Sequence, residues 1–232
     1  MSAVLGAVTI GQSPRTDVIP ELAALLPGVV FREAGALDGE SPEALRRLAA
    51  RPAGPLLVTR LRDGAEIQVG EADVVPRLQR AIDRLQDEAE AILLLCTGPF
   101  PALASRVPLL YPDRVLGHFV SAVFDGPVLA VLTPAEAQIP WQEKRWRERV
   151  GAPVAIVVAA ASPYTADWRR AFEPALGTVR ARQPSLVVMD CLGYDGAMRE
   201  LVRARTGAPV ALARTVLARA AAELLALPGG AG

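Results

Sequence analysis

The run Ala91-Ile92-Leu93-Leu94-Leu95-Cys96-Thr97-Gly98 decides how this chain is read. Its first five residues form a continuous apolar stretch, which suits a strand buried on both faces, as in a parallel sheet. A second run, Leu186-Val187-Val188-Met189-Asp190-Cys191-Leu192-Gly193, repeats the plan in the other half. Residues just past the carboxyl ends of such strands face the crevice where open α/β sheets bind ligands. Cys96 and Cys191 are the only two cysteines. Placed alike, one in each half, they read as two acid/base groups flanking one substrate.

Outward from these runs, short apolar segments alternate with longer amphipathic ones, the signature of βαβ units. In the first half, strands are predicted over 4–10, 29–34, 56–61, 66–69 and 91–95, and helices over 16–26, 42–49 and 72–88. Arg62-Asp63-Gly64 is a turn signal that would close a hairpin. In the second half, strands fall over 128–132, 154–159, 186–190 and 209–212, and helices over 135–150, 165–176, 195–205 and 215–227. The tail 228–232 reads as frayed. The halves look like inexact copies, with Thr9-Ile10-Gly11 standing to Cys96 as Leu132-Thr133-Pro134 stands to Cys191. Residues 29–70 are extra sequence in the first copy. The expected class is α/β, with two pseudo-symmetric lobes, each a mainly parallel sheet flanked by helices, and an active-site cleft between them. The expected division is 1–97 plus 208–232 for the first lobe and 98–207 for the second.

With 232 residues, half of them hydrophobic, the chain has ample material for a core. Its formal net charge is +0 with signs interspersed, so it lacks the basic excess that phosphate-backbone binding requires, and nucleic acid is excluded as an expected partner. No apolar segment is long enough to span a membrane. The apolar start, without a basic leader or a cleavage site, reads as a first strand rather than a signal peptide. Two cysteines make no disulfide framework, and the expectation is a reduced, cytoplasmic protein. Two distant cysteines and a single histidine, His118, give no metal-ligand set. No Gly-x-Gly-x-x-Gly follows a strand and no phosphate-binding loop is present, so no cofactor is expected.

The segments Thr9-Ile10-Gly11-Gln12-Ser13-Pro14-Arg15, Leu186 to Tyr194, and Ala218-Arg219-Ala220-Ala221-Ala222-Glu223-Leu224 resemble the AroM family, over nearly the whole chain. That family is in turn similar to the aspartate/glutamate racemase superfamily, whose members place one cysteine from each of two lobes at a cleft. The resemblance implies that Cys96 and Cys191 serve as general base and general acid for proton transfer next to a carboxylate. A free thiol titrates at about 8.5, so the surroundings must favour the thiolate.

Around each cysteine, Thr97-Gly98 and Leu192-Gly193 would offer backbone N–H groups to a substrate carboxylate. The superfamily's racemases usually carry Asn-Thr and Thr-His at these places. Thr97 fits in part, whereas Leu192 and Gly193 remove the second polar pair, and Asp190 would raise the neighbouring thiol if the side chains approach. Gly11, Gln12, Ser13 and Arg15 follow the first strand, where the resemblance implies substrate binding; Arg15 can fork onto a carboxylate. The bland alternative makes Ser13 the N-cap of a helix beginning at Pro14, with Asp17 ordering Arg15. Thr59 ends a strand, with Arg60 and Arg62 beside it. Thr133 is a candidate substrate hydroxyl in the pseudo-symmetric place of Gly11, and Ser121 lies in a segment similar to one bordering the cleft. Tyr194 either covers the site or packs at a helix start, and His118 is expected to be structural. Trp141, Trp146 and Trp168 are expected half-buried on polar helix faces, or at the interface of a homodimer.

The function these readings imply is a cofactor-independent racemase- or isomerase-like enzyme acting on a small carboxylate or hydantoin-like cyclic amide. A single-cysteine decarboxylase or isomerase, or a non-catalytic small-acid-binding protein of the same fold, is the alternative.

Overall fold

The computed structural model describes residues 2–151 and 153–226. The chain forms two compact units, the first running to Asp113 and resuming at Leu217, the second spanning Arg114–Val216. The divisions fall later than 97 and 207 because a short strand after each cysteine turn still belongs to the sheet preceding it. The predicted tail 228–232 and the end of the last helix at 227 lie outside the described residues.

In the first unit, β1 (Val4–Thr9) leads through α1 (Ile19–Leu25) to β2 (Val30–Gly35). Next come α2 (Pro42–Ala50), the strands β3 (Leu56–Arg60) and β4 (Glu66–Gly70), and α3 (Glu71–Leu85). The cysteine-bearing β5 (Ala91–Leu94) and the two-residue β6 (Leu109–Leu110) complete a parallel sheet of order β2-β1-β5-β6. β1 and β5 are central, and every residue of β5 is buried, as its apolar run requires. α3 lays Val74, Leu78, Ala81, Ile82 and Leu85 into the core at helical spacing. β3 and β4 pair antiparallel, Leu57 opposite Val69 and Thr59 opposite Ile67.

The second unit repeats this order. After α4 (Pro112–Val123), β7 (Val128–Thr133) leads through a 3₁₀ turn and α5 (Ile139–Val150) to β8 (Ala155–Ala160). α6 (Trp168–Arg180) and the second cysteine-bearing strand, β9 (Leu186–Met189), follow. α7 (Gly196–Thr206), β10 (Val210–Leu212) and α8 (Ala213–Leu224) close the chain. The sheet order is β10-β9-β7-β8, all parallel, so β7, β8, β9 and β10 stand for β1, β2, β5 and β6. α7 is bounded as its sequence dictates: the Asp195 side chain caps the Met198 N–H at 2.8 Å, and Gly207 takes the left-handed conformation at φ 71°.

The register makes the repeat quantitative. Leu95 N donates to Val8 O at 2.8 Å, and Asp190 N to Leu132 O at 3.0 Å. Ile92 N meets Pro108 O at 2.8 Å, and Val187 N meets Pro209 O at 2.9 Å. Residues 95 and 190, and hence Cys96 and Cys191, are therefore equivalent. Two readings change. β2 is the counterpart of β8, so the extra segment starts after Gly35, not at 29, and consists of α2 and the β3–β4 hairpin. Thr133 ends β7 as Thr9 ends β1, so its counterpart is Thr9 rather than Gly11.

The first helix also starts later than predicted, at Ile19 rather than Thr16. Ser13 does not cap it. The Ser13–Pro14 peptide is cis, and the Ser13 hydroxyl and amide both bond Asp38, at 2.6 and 2.8 Å.

Candidate active site

Each cysteine lies two residues past a central strand, in a turn closed by a glycine. Cys96 is half-buried and accepts the Gly98 N–H on its Sγ at 3.3 Å. Cys191 is buried, and its Sγ accepts the Gly193 N–H at 3.3 Å. A backbone N–H aimed at sulfur favours the thiolate over the thiol. The two arrangements are the same contact built twice, at register-equivalent positions. No group of three or more His, Cys, Asp or Glu able to hold a metal occurs among the described residues, and no helix there is long and apolar enough to cross a membrane.

Around Cys96, the β3–β4 hairpin supplies a wall that has no counterpart among the described residues of the second unit. A β-carbon on Gly98 would come within 2.8 Å of Leu57 Cδ2. Two residues along the same strand face, Thr59 is 1% exposed, and its hydroxyl has no hydrogen-bond partner. A β-carbon on Gly11 would sit 2.3 Å from the Arg60 carbonyl oxygen and 2.6 Å from Thr59 Oγ1, so only glycine lets the β1 turn pass beneath the hairpin. Thr97 is buried beside Cys96. Gln12 ties the turn to its neighbours, donating to Leu37 O at 3.2 Å and accepting from Arg62 N at 3.0 Å. Arg62 Nε bonds Ser13 O at 2.7 Å, whereas Arg60 turns back to Gly64 O within the hairpin.

Asp38, absent from the sequence reading, organises this turn. Besides Ser13 it accepts the Gly35 N–H at 2.7 Å, so one carboxylate joins the ends of β1 and β2.

Arg15 does not present its fork to solvent. It is 2% exposed, and both arms of a bidentate pair go to Asp17 at 2.8 Å, while NH1 donates to Thr9 Oγ1 at 2.9 Å. Its place in substrate binding gives way to a structural one, with Asp17 ordering it as the alternative held. Burial, the largest single influence, would raise the Asp17 carboxyl, but the hydrogen bond and charge of Arg15, the backbone N–H of Asp17 and the charge of Arg60 together outweigh it, and the net displacement is downward. A depressed carboxyl stabilises the fold above its unfolded pKa of about 3.9 and loses that contribution as pH falls through the folded value. Asp17→Asn is therefore expected to lower the urea midpoint at neutral pH and to flatten its decline between about pH 5 and pH 2. Equal slopes for the two proteins would contradict the assignment.

Around Cys191, Tyr164 comes from the loop after β8, its hydroxyl 3.8 Å from Sγ. A β-carbon on Gly193 would meet Tyr164 Oη at 2.6 Å and Pro163 Cγ at 2.8 Å. Gly193→Ala is expected to cost about 1–3 kcal/mol through overpacking, part of it recovered when Tyr164→Phe is added. Thermal melts of the two single variants and the double variant check this. Tyr194 is no lid: it is fully buried, donates to Ala161 O at 2.8 Å and packs edge-on against Phe172. Burial, with the neighbouring Cys191, Asp190 and Tyr164, raises its phenol well above the ordinary tyrosine range, so it stays a neutral donor.

Asp190, next to Cys191, is paired with α5. Its Oδ2 accepts from Arg145 at 2.9 Å and from the Trp146 indole at 2.8 Å, so its charge is answered by α5. Trp146 is accordingly fully buried rather than half-buried on a helix face. Arg214, which the sequence did not single out, is 1% exposed and bonds the carbonyls of Leu192 and Gly193. Thr133 is fully buried and donates to Gln138 at 2.8 Å. Ser121 and His118 are both exposed on α4.

A family model described as "AroM protein" matches residues 5–225. The chain belongs to the AroM family. No curated protein sequence matches it. Among solved structures, this AroM-family chain is similar to the Picrophilus torridus aspartate racemase, with TM-score 0.64 and 13% identity over 97% of this chain and 94% of that one. The Bacillus anthracis glutamate racemase isoform RacE1 gives TM-score 0.64 and 14% identity, over 97% and 82% of the two chains. The maleate isomerase Iso from Pseudomonas putida S16 gives 0.64 and 13%, over 97% and 94%. At such identities the likeness establishes a shared fold: the AroM-family chain has the α/β architecture of these two racemases and this isomerase.

Proposed function

We propose that this protein is a cofactor-independent enzyme of the racemase or isomerase type, in which Cys96 and Cys191 act as acid and base on one small carboxylate or cyclic amide. The carrying observation is the repeated turn, with each sulfur receiving a glycine N–H at 3.3 Å from an equivalent position past a central strand. Two thiols prepared alike suit a reaction whose forward and reverse directions exchange the roles of base and acid. The aspartate racemase, glutamate racemase and maleate isomerase that share this fold are named for small carboxylates and support the same class. In the first unit, the buried Thr59 hydroxyl beside Gly11, without a protein partner, is a donor available to such a ligand. The deciding experiment is incorporation of solvent deuterium at the carbon next to the carboxyl or carbonyl, followed by NMR across a panel of small carboxylates and hydantoins. Absence of exchange with every compound would overturn the reading.

A second reading rests on unequal exposure. Cys96 is half-buried while Cys191 is buried, which suits single-thiol chemistry at Cys96, such as decarboxylation or an adduct-forming isomerisation. Loss of turnover in Cys96→Ser alone, with Cys191→Ser unaffected, would favour it.

A further inference from the structure

Leu192 and Gly193 carry no polar side chain, so whatever tunes Cys191 from its own turn must act through the backbone. The Leu192–Gly193 peptide does so from both edges. Its N–H, on Gly193, donates to Cys191 Sγ at 3.3 Å. Its carbonyl, on Leu192, accepts from Arg214 Nε at 3.0 Å and from Arg214 NH2 at 2.7 Å, and NH2 also reaches Gly193 O at 3.3 Å. A charged donor on a peptide oxygen draws electron density toward that oxygen and makes the N–H of the same plane a stronger donor.

We infer that Arg214 is a positioning residue that stabilises the Cys191 thiolate through this single peptide. Local structure puts it there. β10 pairs with β9 so that Leu212 lies opposite Met189, and the second residue of α8 then falls beside the cysteine turn. The register-equivalent residue of the first unit, two places past Tyr111, is Asp113. Aspartate has no guanidinium fork, so the contact that Arg214 makes with the Leu192 carbonyl is not built from this position. The two otherwise matched turns thus differ at this position, and the charged donor acts on the peptide beside Cys191. Within the second unit, three other ionisable groups border it. Tyr164 holds its hydroxyl 3.8 Å from Sγ, Tyr194 is a neutral phenol, and Asp190 is engaged by Arg145 and Trp146.

This deepens the proposed reading by assigning the resting base, but its test needs no substrate. Missing exchange activity and an unmoved titration are therefore separate failures. In a Cys96→Ser background one thiol remains, and ultraviolet thiolate absorbance against pH reports Cys191 whatever its accessibility. Adding Arg214→Gln is expected to raise the midpoint by about one pH unit, a tenfold loss of thiolate below it. Arg214→Lys, which keeps the charge with a single donor point, should move the midpoint the same way but less, and it decides the matter if the glutamine variant does not fold. In a Cys191→Ser background, Arg214→Gln should leave the Cys96 midpoint in place, which a general loosening of the fold would not. An unchanged Cys191 midpoint in the folded variants, or equal shifts at both thiols, overturns the inference.

Discussion

Serine at either Cys96 or Cys191 is expected to slow racemisation or isomerisation by about 10²–10⁴-fold, the usual contribution of a positioned acid or base. The two-thiol reading makes a sharper demand than loss of rate. Each single variant keeps one sulfur, so it should still wash deuterium into the substrate form presented to that sulfur while failing to complete inversion. The two variants should then show opposite preferences between enantiomers, and the double variant should show no exchange. Enantiomer-resolved NMR in deuterated buffer reads all three. Identical preferences in the two single variants would reduce the chemistry to one sulfur.

The second large effect is structural. Asp190→Ala should destabilise the protein by about 3–5 kcal/mol, because it takes the partner carboxylate from a buried Arg145 and from the Trp146 indole together. Replacement by hydrophobic groups on both sides would be far milder; removal of one side strands the other in a medium that solvates charge poorly. Asp190→Asn retains an acceptor for the indole and should fall between the two proteins. Urea unfolding followed by tryptophan fluorescence gives the order, and a loss below about 1 kcal/mol for the alanine variant would show that the pair contributes little.

The strands of this fold were legible wherever burial forces a continuous apolar run, as at Ala91–Leu94 and Leu186–Met189. β6 was not, since two residues carry no period, and α4 was not, because Gly117 and His118 interrupt its pattern. The start of α1 was misplaced for a definite reason. Ser13 before Pro14 has the chemistry of a cap, but Asp38, 25 residues away, takes both its hydroxyl and its amide. Trp146 sits among charged neighbours and reads as a surface residue, yet its N–H finds Asp190 across 44 positions. The cysteine turns themselves were visible as strand-end Cys-x-Gly. Their supports in the second unit, Tyr164 and Arg214, come from distant segments, and nothing in local spacing points to them. The sequence also overvalued polar groups that are buried in partnerships of their own: Arg15 with Asp17, and Tyr194 with the Ala161 carbonyl.

The placing of α4 and α8 bears on how the molecule can be divided. Each begins directly after the edge strand of one unit, and each unit boundary falls within its opening turn, at 113 and at 217. The central segment 114–216 is thus a single uninterrupted stretch, whereas its companion needs both termini. Expression of 1–113 by itself would omit the closing helical segment, and a fragment meant to fold independently must rejoin 217–226 through an engineered linker.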